Sequence, residues 1–136
     1  VLRPQALVIG SDQTATLDGV LTIGKPGDHE RAVAQLLAAS GRTMTFNTAV
    51  ALVCADSGFK KVKLVPTQVR FRKLDRTQID AYLRREPAYD CAGAAKCEGL
   101  GIALLEEVDT IDQTALIGLP LITLTSMLAA AGAPVL

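Results

Sequence analysis

One acid and one base lie at the two ends of a short, glycine-containing stretch near the beginning of the chain. Asp12 follows the apolar run Ala6–Ile9 and Gly10, and Lys25 lies between a second glycine and a proline. The apolar run predicts a strand that is buried on both faces and ends at the glycine. Open α/β sheets bind ligands at the ends of their strands, where polar groups such as these lie. A carboxylate and an ammonium group that meet there can do acid–base chemistry, so this stretch is the candidate catalytic centre.

The residues between this acid and this base predict a β-hairpin that would bring them together. Asp18-Gly19 is typical of a two-residue type I′ turn, and the four residues on each side of it are compatible with strands. Counted back from that turn without a bulge, the register sets Asp12 opposite Lys25 on one face and turns Gln13 to the other. The alternative is a surface hairpin with a cross-strand ion pair, which would contribute little to stability.

The composition is that of one folded domain. The chain has 136 residues, of which 49% are hydrophobic, so a single domain over residues 1–136 can bury a real core. The formal net charge is zero, which argues against a protein that wraps nucleic acid. No apolar stretch reaches the length of a membrane-spanning helix. We therefore expect neither a nucleic-acid partner nor a membrane.

Cysteine and histidine offer little catalytic chemistry. The spacing of Cys54, Cys91 and Cys97 matches no zinc motif, so we expect free or buried thiols in a reducing cytoplasm. His29 is the only histidine, and any serine–histidine or cysteine–histidine pair would have to use it. Its place at the start of a predicted helix, between two acids, favours a solvated residue of the first helical turn over a catalytic base.

The remaining elements predict an α/β fold. Periodicity and capping signals indicate a helix that begins after Asp28 and ends at Ser40, and a second helix with a capping box at Asp75. The other predicted elements are strands over Thr43–Cys54, Lys61–Phe71 and Ile102–Val108, and a helix from Pro120. The order is that of a mixed twisted sheet with β-hairpins and flanking helices, and not the regular alternation of a Rossmann fold. No Walker loop or GxGxxG motif is present.

A second informative stretch runs over Glu86–Gly101. It is rich in small residues and too irregular for a core element, and Lys96 and Glu98 are charged members of it. Such a loop can wrap closely around a ligand. An ordinary connecting loop is the alternative, but its length and glycine content favour a binding site.

Eight short motifs, in this order and spacing, resemble the Maf family of nucleoside triphosphate pyrophosphatases. The resemblance extends from about Ala6 to Gly132. The motifs are Gly10-Ser11-Asp12-Gln13, Asp18-Gly19, Gly24-Lys25-Pro26, Ser40-Gly41-Arg42, Val69-Arg70-Phe71-Arg72, Cys91-Ala92-Gly93, Glu98-Gly99-Leu100-Gly101 and Gly118-Leu119-Pro120. Each motif alone is weak, but the ordered set is specific. The resemblance implies a Maf/ITPase-like fold and a cytoplasmic house-cleaning hydrolase that acts on the α–β phosphoanhydride bond.

The family divides by the residues beside its catalytic acid and in its glycine-rich loop. The branch that acts on dTTP and UTP has Asp-Thr and a glutamine there, whereas the 7-methyl-GTP branch has Ser-Asp-Gln and Glu-Gly. This chain resembles the second branch. The match implies that Asp12 is the catalytic acid, as proton acceptor or metal-linked carboxylate, and that Gln13 and Glu98 select the base. It also implies that Lys25 binds phosphate and that Mg²⁺ or Mn²⁺ is the cofactor.

The resemblance also sets expectations about boundaries and partners. Family members begin with a strand and a helix that carry a Ser-x-x-Arg segment, which this chain lacks. We therefore expect residues 1–136 to form a single Maf-like domain without its N-terminal strand and helix. The expected ligand is a nucleoside triphosphate, and the resemblance allows a homodimer. The alternatives are a dTTP/UTP pyrophosphatase, or a non-catalytic nucleotide-binding protein that acts in septum formation.

Overall fold

The computed structural model of the chain describes residues 3–136 and confirms the α/β class. Within these residues, four strands form one antiparallel sheet in the order β1-β2-β3-β4, so each strand pairs with its neighbour in the chain. The strands are β1 (Val8–Thr16), β2 (Thr43–Cys54), β3 (Phe59–Phe71) and β4 (Leu105–Thr110), and the helices are α1 (His29–Ala39), α2 (Arg76–Arg85) and α3 (Leu121–Ala130). None of these helices is both long and apolar enough to cross a bilayer.

The described chain groups into two compact units. One unit contains the residues up to Gln13 together with Asn47–Pro66 and Thr110–Leu136. Its core forms because alternate residues of β2, Val50 and Leu52, bury their side chains against one face of α3. Each fully buried aliphatic side chain of this cluster contributes about 1.5–3 kcal/mol of hydrophobic stabilisation.

The other unit, Thr14–Phe46 with Thr67–Asp109, contains α1 and α2. The helical period places Val33 and Leu36 on the buried face of α1, and Ile79 and Leu83 on the buried face of α2. Both predicted helix starts are confirmed. The Asp28 carboxylate accepts the Arg31 N–H at the first turn of α1. The α2 start is a complete capping box, in which Asp75 and Gln78 each accept the other's backbone N–H.

The first predicted strand differs from the structure. The strand β1 begins at Val8 and continues through Gly10 and Asp12 to Thr16, so Asp12 lies within the strand and not at its end. The side chains of Val8 and Ile9 are 59% and 47% exposed. A continuous apolar run becomes a doubly buried strand only when other elements cover both of its faces. Within residues 3–136 no element covers these two side chains on either face of the sheet, and β1 is also an edge strand.

The predicted type I′ turn is also wrong. The Asp18 carboxylate accepts the backbone N–H groups of Val20 and Leu21, each at 2.8 Å, and the Thr16 hydroxyl at 3.1 Å. Gly19 has a positive φ of 79°, but Asp18 does not, and a type I′ turn needs both. A carboxylate that binds the amides just after it competes with the hairpin ladder for the same backbone groups.

The hairpin register changes as a result. In place of a second strand there is one isolated bridge, between Ala15 and Ile23, with a 2.7 Å hydrogen bond from the Ile23 N–H to the Ala15 carbonyl. This pairing is shifted by one residue from the predicted one, and a one-residue shift turns every side chain to the other face. Lys25 lies beyond the bridge, outside any strand. The register argument that set Asp12 opposite Lys25 is therefore incorrect.

Candidate active site

Asp12 is an exposed side chain in the edge strand β1. Its Oδ1 accepts the backbone N–H of Gln13 at 2.8 Å, which fixes one carboxylate oxygen beside the strand. An exposed carboxylate held in this way can orient a water molecule or contact a bound cation.

Gln13 is a half-buried anchor within the first unit. Its Nε2 lies 2.9 Å from Thr48 Oγ1, 3.0 Å from the Ala115 carbonyl and 3.2 Å from the Leu116 carbonyl. The buried Thr48 hydroxyl donates to the Ala115 carbonyl at 2.8 Å, so it accepts from Gln13. These three acceptors require an amide N–H₂ and so fix the orientation of the side chain. Both amide N–H groups are thereby used within the protein, and only Oε1 is left to accept from a ligand.

A buried carboxylate shapes the turn that Gln13 binds. Asp112 Oδ1 accepts the Thr114 N–H at 2.9 Å, and its Oδ2 accepts the Ile122 N–H of α3 at 2.8 Å. Burial opposes ionisation of this group, but the hydrogen bonds from Thr114 and Ile122 outweigh it and lower the pKa of the carboxyl. The Ala115 and Leu116 carbonyls are therefore presented by a turn that a charged, hydrogen-bonded aspartate holds.

Lys25 is exposed, and within residues 3–136 no carboxylate lies at ion-pair distance from it. The backbone on both sides of it is fixed. Gln35 Nε2 donates to the Gly24 carbonyl at 2.9 Å, and the Gly27 N–H donates to the Tyr89 carbonyl at 2.9 Å. An uncompensated ammonium group on a fixed backbone is suited to bind phosphate oxygens.

His29 is more firmly held than the sequence predicts. Its Nε2 lies 2.7 Å from Asp80 Oδ1 and its Nδ1 lies 3.0 Å from the Tyr89 hydroxyl, with the side chain one-third exposed. The hydrogen bond from His29 is the main cause that lowers the pKa of the Asp80 carboxyl, assisted by Arg76. Both ring nitrogens therefore have partners: Asp80 ties the start of α1 to α2, and Tyr89 ties it to the loop that follows α2. The interpretation of His29 as a freely solvated residue of the first helical turn is therefore wrong.

The glycine-rich loop that begins at Glu86 is tied to the Lys25 segment by the Gly27–Tyr89 hydrogen bond. Its own backbone is anchored to α2. The Glu86 carboxylate accepts the Leu100 N–H at 3.0 Å and the Gly101 N–H at 3.3 Å. The Tyr82 hydroxyl donates to Glu86 at 2.9 Å. The loop is thus a rigid part of this unit and not a loose connection.

Two glycines of this loop are required by its own packing. A Cβ atom at Gly99 would overlap Glu86 Oε2, and a Cβ atom at Gly101 would overlap the backbone of Lys96. The glycines therefore allow the loop to fold closely on itself. The sequence predicts close approach of a ligand at these glycines, and the structure shows close approach of the loop's own residues. Glu98, between these contacts, keeps its side chain exposed, and the Lys96 ammonium lies 3.9 Å from Asp90.

The sequence alone does not identify Tyr82 and Glu86 as residues that anchor the glycine-rich loop. Their spacing of four residues was a usable signal, because residues at i and i+4 lie on one face at the end of a helix. The anchoring of Gln13 by residues 115 and 116 had no comparable local signal. Of the predicted site residues, Asp12 and Gln13 belong to the first unit, and Lys25 and Glu98 to the second.

No metal cluster is present among the described residues, since no three His, Cys, Asp or Glu side chains converge there. The donor set fits one mode of metal binding only. Mg²⁺ is often held by one or two carboxylates together with substrate phosphates and water, and the exposed Asp12 carboxylate could serve as such a ligand. The three cysteines are free thiols. Burial raises the pKa of the Cys97 thiol to about 12, so it is not a nucleophile at neutral pH.

Comparison with known families agrees with these features. Residues 1–131 match the family described as Maf-like protein. The chain belongs to this Maf-like family. Its relatives include proteins named 7-methyl-GTP pyrophosphatase from Polaromonas sp., 60% identical over 129 residues, and from Albidiferax ferrireducens, 54% identical over 133 residues. A protein of the same name from Burkholderia thailandensis is 60% identical over 129 residues.

The matches cover a larger share of this chain than of its relatives. The matches cover 95%, 98% and 95% of this Maf-like chain but 58%, 66% and 60% of the relatives. The chain therefore spans about three fifths of the length of the curated relatives that it matches.

Proposed function

We propose that this chain is part of a nucleoside triphosphate pyrophosphatase that hydrolyses 7-methyl-GTP to the monophosphate and pyrophosphate. The observation that carries the proposal is the identity of 54–60% to relatives of that name over nearly all of this chain. The exposed acid, the uncompensated lysine and the rigid loop around Glu98 support it. We extend the same proposal to the domain boundary, with residues 1–136 as the larger part of one Maf-like domain.

Asp12 takes the role of proton acceptor. In the proposed reaction, a water oxygen bonds to the α-phosphorus while the bond from that phosphorus to the α–β bridging oxygen breaks. Pyrophosphate leaves with the bridging oxygen, and the proton of the attacking water passes to the Asp12 carboxylate. The hydrogen bond from the Gln13 N–H keeps this carboxylate in one orientation.

Lys25 binds the triphosphate. The ammonium group has no carboxylate partner in the described chain, so it can offset phosphate charge without first losing an ion pair. Mg²⁺ or Mn²⁺, held by the substrate phosphates and water, would offset further negative charge on the triphosphate, and a direct bond from Asp12 to the cation is the alternative to its role as proton acceptor. The free thiols agree with a reaction in the reducing cytoplasm, which is where we place it.

Glu98 selects the base. A guanine methylated at N7 carries positive charge on its ring and N–H donors on its edge. An exposed carboxylate can accept hydrogen bonds from those donors, and the attraction between the opposite charges strengthens these bonds. Gln13 contributes only through Oε1, because its N–H₂ group is used by Thr48 and the turn carbonyls.

Pyrophosphate release from 7-methyl-GTP, GTP, UTP and dTTP, with Mg²⁺ or Mn²⁺, tests this function. The full-length protein should prefer 7-methyl-GTP, and Asp12→Asn should lower its turnover at least about 100-fold, the scale of general-base catalysis. Asp56→Asn, an exposed aspartate in the turn between β2 and β3, is the matched control and should keep its activity. Full activity in Asp12→Asn would show that the centre lies elsewhere, and preference for UTP or dTTP would assign the other branch. No release from any nucleotide would favour a non-catalytic role.

A further inference from the structure

We propose that Tyr82 and Glu86 are positioning residues that set base selectivity by holding the Lys96–Gly101 turn, which carries Glu98. This inference rests on the proposed function, since it concerns the same choice of base. Tyr82 in α2 and Glu86 at its C-cap need not touch the nucleotide to have this effect.

The contacts attach the turn on both sides of Glu98. On the far side, Glu86 accepts the N–H groups of Leu100 at 3.0 Å and Gly101 at 3.3 Å. On the near side, the Tyr82 hydroxyl accepts the Lys96 N–H at 2.9 Å. Because that hydroxyl also donates to Glu86 Oε1 at 2.9 Å, the two anchors form one connected network.

The turn is closely packed at two of its glycines. The Gly99 Cα lies so near the Glu86 carboxylate that any side chain there would displace it. A Cβ atom added at Gly101 would overlap the Lys96 backbone, so the two ends of the turn lie against each other. The Glu86 carboxylate is thus in close contact with the backbone of Gly99, the residue next to Glu98, as well as bonded to the two amides that follow it.

Glu86 is negatively charged at the C-terminal end of a helix, where a positive charge is usually favoured. Glu86 is the C-cap of α2, where the helix dipole favours a cation. Burial also opposes its ionisation, yet the N–H groups of Leu100 and Gly101 and the Tyr82 hydroxyl outweigh burial and lower the pKa of the carboxyl. An anion is thus maintained at an unfavourable position because the turn supplies its hydrogen bonds.

Glu98 depends on this support. No hydrogen bond or ion pair holds its own carboxylate within the part of the chain that the structure describes. Its position relative to a bound base is therefore decided by the backbone of the turn. Loosening the turn should weaken the contact with a cationic, methylated base much more than it affects Asp12 or Lys25.

The selectivity test compares Glu86→Gln and Tyr82→Phe in the full-length protein with Glu106→Gln, an exposed glutamate of β4, as matched control. The ratio of kcat/KM for 7-methyl-GTP to that for UTP should fall about tenfold in the two test variants, the scale of one charge-assisted hydrogen bond. The ratio should stay unchanged in the control. In a Glu98→Gln background, Glu86→Gln should cause no further fall, because its effect passes through Glu98. An equal loss for both nucleotides, or the same fall in that background, would overturn the inference.

A second readout does not depend on activity. Hydrogen exchange should show that the Leu100 and Gly101 amides lose protection in Glu86→Gln and keep it in Glu106→Gln. Retained protection would overturn the holding role. Unfolding of Glu86→Gln would be recognised by loss of protection throughout the protein, and protection of the Lys96 amide in Tyr82→Phe would then decide, its loss supporting the holding role and its retention overturning it. If the unmodified protein releases pyrophosphate from no nucleotide, the proposed function and the selectivity role are wrong. The amide protection still decides whether Glu86 holds the turn.

Discussion

The anchoring of Gln13 predicts an unusually large effect for the nearly isosteric change Gln13→Glu. The amide N–H₂ group donates to Thr48 Oγ1 and to the carbonyls of Ala115 and Leu116. A carboxylate has the same shape but no hydrogen to donate, and it would face two carbonyl oxygens. Two lost donor groups at about 1 kcal/mol each, with added repulsion, should lower the free energy of unfolding by about 3 kcal/mol at pH 7.

The sign of the pH dependence follows from the same contacts. The carbonyl oxygens disfavour the charged form, so the new carboxyl should have a pKa above its unfolded value of about 4.3. A group whose folded pKa is raised contributes stability that is fully present below the unfolded pKa and is lost as the pH rises through the folded pKa. The deficit of the variant should therefore be largest at pH 7 and shrink towards pH 4, where the protonated carboxyl can donate to one carbonyl.

Urea unfolding at pH 7 and pH 4 measures both effects. Gln13→Ala should lose about 2 kcal/mol at both pH values, because it removes the donors without adding a charge. Gln113→Glu, at an exposed position of the neighbouring turn, is the matched control and should change stability by less than about 0.5 kcal/mol. A Gln13→Glu variant within that margin of the unmodified protein at pH 7, or with a deficit independent of pH, would refute the anchoring role.

Two further predictions concern the second unit. Glu98→Gln should lower turnover of 7-methyl-GTP more than that of UTP in the pyrophosphate assay, because only the methylated base gains from a full negative charge. Equal losses would contradict its role in base selection. Asp80→Asn should lower the melting temperature at pH 7 and lower it by a smaller amount at pH 3. The hydrogen bond from His29 lowers the folded pKa of Asp80, so its contribution is present above the unfolded pKa of about 3.9 and is lost as the pH falls. A melting-temperature deficit of the same size at both pH values would count against the ionised pair.

Local signals in the sequence predicted the starts of two helices and the alternation of β2. Asp28 and Asp75 cap their helices by contacts within three residues, so their residue types alone are sufficient evidence. The alternation of β2 places Phe46, Thr48 and Val50 on one buried face, as the period of two requires. The family motifs are likewise a property of the sequence, and they led to the family that the comparison shows.

The hairpin shows why a turn motif was not sufficient. The Asp18 side chain could support a type I′ turn or bind the amides that follow it, and both are local. The structure adopts the second arrangement and removes the register that had paired Asp12 with Lys25.

The sequence by itself determined the helix caps, the buried strand face, the family and the types of the candidate site residues. Only the tertiary structure decided what surrounds those residues. The amide of Gln13 meets acceptors more than 100 residues away, and Glu86 meets amides 14 and 15 residues away across a folded loop. The physical reason is that hydrogen-bond partners of buried and half-buried polar groups are chosen by the packing of distant segments, on which local periodicity and capping carry no information.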